Sequence, residues 1–454
     1  MSAASAPFHI SRQLNSAKRA SCGVLENASL AGTPHKVNQS IQGKCRWVHS
    51  ISGREHLTSV VMQNIDSPLA TCDGVHGLVP RGRMSVAVRK MRDFYDRVPC
   101  SPLYHREFWL MSTTLEAWKS QGMPQDVSHS ELFHFDEPAI HQLGELGWCE
   151  AAFLPAFEER QIEDRGETEI MQDFAGRHVL YFKNRRVGFM PEYVDHPVKD
   201  WKTWEEAVKW RLAPTAALRF ADLDGRMAAA VADAGEGMLM RQGLIGGFMY
   251  LRSLIGPEGI LYMVYDAPDL VHDCMKTWLA LADAVISRHQ QHVTIEELFF
   301  AEDICYNHGP LIGPEMIREF IIPYYQQLIA NVKNRQIDAS RKLHIQIDTD
   351  GFCDPVIPIY AETIGMDYMS PFEVASGSDV VRTGSEYPEL LMSGGIDKRI
   401  LARSKREIDE MVERILPTMR SRGGYIPTVD HGVPEEVPYE NYLHYRRRCV
   451  ELGG

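Results

Sequence analysis

From Met84 onward the chain alternates runs of apolar residues with amphipathic stretches of helical period, the pattern of a parallel α/β architecture. Ser404-Lys-Arg-Glu407 reads as a capping box, followed by Ile408, Met411, Val412, Ile415, Leu416 and Met419 on one helical stripe. Leu270, Cys274, Trp278, Leu281 and Val285 form a second stripe, and residues 314–334 a third that Pro323 should kink. Strands are predicted over 102–109, 149–155, 238–244, 298–303, 343–348, 366–370, 390–394 and 424–428. Eight strands alternating with helices predict a (β/α)8 TIM barrel. Between residues 158 and 198 the pattern shifts to short strands (170–174, 178–182, 186–190) with charged turns, predicting a small antiparallel insertion after the second strand, a lid or an interface. Several barrel strands run directly into polar residues: Glu302-Asp303, Asp348-x-Asp350, Glu373, Asp397 and Asp430-His431. The carboxyl ends of barrel strands form the catalytic face, so these groups should converge on one pocket.

Residues 1–83 differ. They carry nine Lys/Arg against four acids, are rich in Ser, Asn and Gly, and show no sustained period. Such a leader suits an organellar transit peptide, a tag remnant around Leu78-Val-Pro-Arg-Gly82, or sequence upstream of a true start at Met84. The expected division is a non-catalytic leader, 1–83, and a barrel domain, 84–454. The formal charge of −13 argues against nucleic acid or an anionic membrane as principal partner. Nine cysteines with no C-x-x-C pair suggest reduced, buried thiols and a cytoplasmic protein, organellar only if the leader is a genuine transit peptide.

Gly243-Leu-Ile-Gly-Gly-Phe248, Ala301-Glu-Asp303, Pro323-Tyr-Tyr325, Asp350-Gly351 with Pro358 and Gly365, Pro371-Phe-Glu373, Gly394-Gly-Ile-Asp397, Gly424-Tyr-Ile426 and His431-Gly432 occur in that order. Over residues 85–452 this series resembles the uroporphyrinogen decarboxylase superfamily. The resemblance implies a TIM barrel and one of two chemistries. One is cofactor-free decarboxylation of uroporphyrinogen; the other is methyl transfer from a corrinoid protein to a thiol at a zinc held by H-x-C-G and a later cysteine. The arginine-rich loop of the first arm is replaced here by Ser112-Thr-Thr-Leu-Glu-Ala-Trp118, with Arg106 the nearest guanidinium. For the second arm, Asp348-Thr-Asp350-Gly351 falls where H-x-C-G would lie and His431 where the later cysteine would.

Asp348 and Asp350 lie two apart at a strand end, on one side and ~6–7 Å apart along the chain. They could chelate a metal, serve as a general base beside an orienting anion, or simply cap the following turn. The expected metal set is Asp348, Asp350 and His431, holding zinc; the expected catalytic groups are Asp350, Asp303 and His431. Of Glu302-Asp303 only one can face the pocket, and Asp303 is the choice. Arg241, His344, Glu373 and Asp397 are the expected substrate contacts. Arg241 could bind an anion or neutralise a strand-end acid, and His344 could be a satisfied interior histidine. Arg446-Arg-Arg448 reads as a solvated helix face. Three functions follow, in order: a methyltransferase-type enzyme serving a small substrate and a corrinoid-protein partner with metal assistance; a cofactor-free decarboxylase or lyase; and a non-catalytic binding barrel. A compact cationic cluster without metal geometry would favour the second.

Overall fold

A computed structural model describes residues 79–184 and 192–454. Most of the leader, and the strand predicted at 186–190, lie outside the described residues. Seven parallel strands form a curled sheet in strict chain order: β1 (Ile140–Leu146), β2 (Leu239–Ile245), β3 (Glu297–Ala301), β4 (His344–Asp348), β5 (Tyr368–Ser370), β6 (Leu391–Ser393) and β7 (Tyr425–Ile426). The last six match predicted strands. The first two predictions fail. Residues 102–109 make no ladder, and the next residue, Leu110, makes only an isolated parallel bridge with Val433, past the end of β7. Residues 149–155 are loop, while the strand lies earlier, at β1, whose polar His141 and Gln142 and register shift before Glu145 hide its apolar signal. The architecture is thus α/β with a seven-stranded curled parallel sheet.

A separate antiparallel sheet pairs Arg160–Arg165, Thr168–Gln172, His178–Phe182 and Glu192–Asp195 in sequence order. It follows β1, the first strand of the parallel sheet, rather than a second.

Helices cover the outside of the parallel sheet. The Ser404–Glu407 capping box forms and starts helix Lys405–Arg422, which buries Ile408, Val412, Ile415, Leu416 and Met419. Helix Pro268–His289 buries the stripe from Leu270 to Val285. The third stripe divides into helices Pro314–Phe320 and Ile322–Asn334, with Pro323 in the first turn of the second, where its missing N–H costs nothing. Each such large aliphatic side chain contributes roughly 1.5–3 kcal/mol on burial. Helix α1 (Val86–Tyr95) closes the amino end of the sheet, packing Met91, Phe94 and Tyr95 near Leu239, Tyr368, Leu391 and Ile426. Among the described residues no helix is long and apolar enough to cross a membrane. Arg446 is not solvated: it is 0% exposed, donates through Nε to the Phe133 carbonyl (3.0 Å) and lies over the Phe135 ring.

Gly394 shows why the turn after β6 needs glycine. Its φ is +109°, and an added Cβ would meet the Pro371 carbonyl oxygen at 1.7 Å. Gly394→Ala is expected to cost ~2 kcal/mol or more, read as a lower urea midpoint at unchanged slope. An unchanged midpoint would show that the turn relaxes freely.

Candidate active site

Strand alternation decides which side chains enter the interior. On β4, His344, Gln346 and Asp348 share the inner face. The ladders set Arg241 beside Glu297 and Glu297 beside His344, Gly243 beside Phe299 and Phe299 beside Gln346, and Ala301 beside Asp348 and Asp348 beside Ser370. Tiers of inward residues therefore rise towards the carboxyl ends of the strands. They open into a cavity of about 200 Å³ whose wall includes Arg106, Gln142, Trp148, Arg241, Phe299, Gln346, Asp348 and Ser370.

Arg241 is 6% exposed. Its Nε lies 2.9 Å from Glu297 Oε1, and the Tyr95 hydroxyl, reaching up from α1, donates to the other carboxylate oxygen. Burial opposes the charge, but Glu297, aided by Tyr95 and Tyr368, holds the guanidinium pKa above its ordinary value. Arg241 Nη2 has no hydrogen-bond partner. Arg106 adds a second guanidinium to the same wall, and its Nε is likewise without a partner.

Asp348 is 8% exposed and accepts from the Ser370 hydroxyl, which in turn accepts from Gln346 Nε2 at 2.9 Å. Burial pushes its pKa up to about 7. Asp303 pushes the same way, while the Ser370 hydrogen bond and the charges of Arg106 and Arg241 oppose the shift. A carboxyl that retains its proton near neutrality is thus set among guanidinium groups. Trp148 and Phe299 supply an apolar side, their rings stacked at 5.1 Å and 11°.

Asp350 lies past the end of β4, on the loop, and belongs to a second polar cluster. His431 Nε2 is 3.6 Å from its carboxylate. Burial, with Glu373, Asp303 and Asp348 nearby, holds the Asp350 pKa well above its ordinary value. His431 is neutral at pH 7, since burial and then Lys398 push its pKa down to about 3. Lys398 pairs with Glu373 (3.3 Å) and Asp430 (3.4 Å), and Glu373 also accepts from the Gly351 N–H at 2.9 Å.

The remaining predicted residues have separate tasks. Asp303 pairs with Arg252 in a left-handed backbone conformation, φ +40°. Its neighbour Glu302 is buried and accepts from the Gly247 and Phe248 N–H groups and the Tyr325 hydroxyl, anchoring the start of helix Gly247–Ile255. His344 sits at the amino end of β4 with Nδ1 2.8 Å from Asp367, below the cavity and not on its wall, so it is placed as a paired interior histidine and not as a substrate contact. Asp397 caps helix Lys398–Leu401, accepting from the Arg399 N–H and pairing with the Arg399 side chain, and it too is absent from the wall. Glu373 is absent from it as well.

Asp348, Asp350 and His431 do not gather as a metal set. Among the described residues no group of three or more His, Cys, Asp or Glu side chains is arranged to hold a metal ion. Asp348 turns inward to Ser370, while Asp350 and His431 face Glu373 and Lys398. The donor set expected for zinc therefore does not fit. Sequence reasoning missed Gln142, Trp148, Gln346 and Ser370, and Arg106 entered it only as an isolated guanidinium. The available signal was parity, since Gln346 shares the strand face of Asp348.

Residues 231–450 match the family model described as uroporphyrinogen decarboxylase (URO-D). That match supports the uroporphyrinogen decarboxylase superfamily for this part of the chain. The uroporphyrinogen decarboxylase of Geobacter metallireducens is 25% identical over 184 residues, 40% of this chain and 49% of that protein. That of Geobacter sulfurreducens is 24% identical over 184 residues, with the same coverage. The match thus spans about half the length of these curated relatives. A solved methyltransferase from Methanosarcina mazei is 13% identical, with a TM-score of 0.51 over 80% of this chain and 98% of that one. That likeness concerns the fold. Members of the superfamily are enzymes, and in this chain the cavity is walled by β1 to β5 and by residues 106–108.

Proposed function

We propose that this protein is a cofactor-independent decarboxylase, a lyase acting on a small carboxylated substrate. One observation carries the reading: a single cavity wall holds two guanidinium groups with unpartnered nitrogens and a carboxyl that keeps its proton to about pH 7. Guanidinium is the side chain best suited to a carboxylate, because its N–H groups match both oxygens. Arg106 and Arg241 would hold the substrate carboxylate, and the apolar side at Trp148 and Phe299 would exclude water from it.

In the proposed reaction the protonated Asp348 gives its proton to the carbon that bears the carboxylate. The bond to the carboxyl carbon breaks, its electron pair stays with the substrate, and CO2 leaves. Asp348 then regains a proton from water. The sum is substrate carboxylate plus one proton giving the protonated product and CO2. An octa-anionic tetrapyrrole would demand more fixed cations than the two on this wall and more room than about 200 Å³, which lies below the roughly 300–1,000 Å³ of ordinary ligand sites. Methyl exchange with a corrinoid protein, expected from the motif register, lacks support from the ligand set.

The test is CO2 release from a panel of small carboxylic acids by the full chain, without added metal, across pH. Activity should be level below pH 7 and fall about tenfold per unit above it, as Asp348 loses the proton it must donate. Activity rising through pH 7 would exclude Asp348 as the acid. Absence of CO2 from every acid that binds would exclude decarboxylation.

A further inference from the structure

We infer that the substrate is a single-ring aromatic carboxylate whose ring also bears an O–H or N–H group, and that Gln346 is the residue that recognises this donor. The inference rests on the decarboxylase reading of the same cavity and specifies its substrate class.

Gln346 is 1% exposed and lines the cavity. Gln346 Nε2 donates to Ser370 Oγ at 2.9 Å, and the Ser370 hydroxyl donates onward to Asp348. That leaves Oε1 turned the other way, buried and without a hydrogen-bond partner. A buried amide oxygen left unpaired is costly, and the partner that completes such a group is protein, ordered water or a bound ligand; on a cavity wall it faces the space a ligand would fill. The two guanidinium groups can only donate. The wall therefore offers donors suited to one anion and, at Gln346, an acceptor suited to one donor.

The shape of the wall indicates what carries these two groups. Trp148 and Phe299, stacked on each other, give the wall an aromatic apolar side against which a planar aromatic partner packs favourably. A cavity of about 200 Å³ is the right size for one ring with small substituents, since ~150 Å³ of apolar cavity suffices for benzene.

The chemistry gives the donor a purpose. Protonating a ring carbon places positive charge on the ring, and a ring-borne oxygen or nitrogen delocalises that charge through its lone pair. The O–H or N–H becomes a stronger donor at that moment, so its bond to Gln346 Oε1 strengthens in the transition state. When the bond to the carboxylate then breaks, its electron pair restores the aromatic ring and CO2 departs. The ring hydroxyl or amine is unchanged overall.

The test is calorimetric binding at pH 6 of benzoate, the three hydroxybenzoates and the corresponding methoxybenzoates to the full chain and to Gln346→Met. At least one hydroxybenzoate should bind about tenfold or more tightly than both benzoate and its methoxy counterpart. In Gln346→Met that ratio should fall to near one, while benzoate affinity stays within about threefold. Equal binding of hydroxy and methoxy compounds to the native chain would overturn the inference, whether or not the variant folds. A ratio that persists in Gln346→Met would overturn the assignment to Gln346. If the hydroxybenzoate is preferred but releases no CO2, donor recognition stands and the reaction fails. If no carboxylate binds at all, both fail.

Discussion

Asp348→Asn is expected to lower the decarboxylation rate by about 10²–10⁴-fold while raising the melting temperature at pH 8. The two effects share one cause. The Asp348 pKa is raised from an ordinary 3.8 to about 7 in the folded chain, chiefly by burial. Below pH 4 the group is protonated in both folded and unfolded chains, and its stabilising contribution is fully present. Between about pH 4 and 7 the unfolded chain releases the proton while the folded chain retains it, so stability falls with rising pH. Above pH 7 the buried carboxylate weighs on the fold, by an order of 2–4 kcal/mol. Asparagine keeps an acceptor for Ser370 but never ionises. The variant's advantage over the native chain in urea unfolding should therefore be small at pH 4.5 and clearly larger at pH 8. Equal stability at both pH values would mean that Asp348 is ionised throughout, and the proposed acid would be lost.

Glu297→Ala is expected to be the most destabilising single change at the site, costing about 3–5 kcal/mol. Glu297 is buried and is the carboxylate paired with Arg241; its removal strands a guanidinium that burial already disfavours. The double variant Arg241→Met/Glu297→Leu removes both charges and should regain most of that stability, since a buried ion pair rarely outperforms apolar packing. It should nevertheless bind carboxylates poorly, because Arg106 alone remains on the wall. Denaturation midpoints together with ligand titration separate the outcomes. A double variant that still binds native-like would remove Arg241 from the anion site.

The sites of local order were legible in the sequence for local reasons. The capping box at Ser404 and Glu407 and the stripe from Leu270 to Val285 depend on neighbours within a few residues, and both form as expected. Asp348 was identifiable from its place at a strand end. Its partners were not: Ser370 lies 22 residues further on, and a serine in an apolar strand carries no distinctive signal. Arg241 was recognised as unusual, but whether it neutralises an acid or binds a ligand depends on Glu297, brought beside it by the β2–β3 register. His344 shares the inner face with Asp348, yet Asp367 claims it at the strand's amino end. Arg446 read as solvated within a run of three arginines, and tertiary packing buried it against Phe133 and Phe135.

The sequence by itself therefore determined the α/β class, six of the seven parallel strands, the main helix stripes and the family, because periodicity, capping and ordered motifs are short-range properties of the chain. The tertiary structure alone decided which polar residues share a cavity, that Asp348 and Asp350 separate into different clusters, and that burial raises the Asp348 pKa to about 7. Those outcomes depend on strand parity, on ladder register between distant segments and on the desolvation of groups brought together from five strands, none of which is encoded within any single stretch.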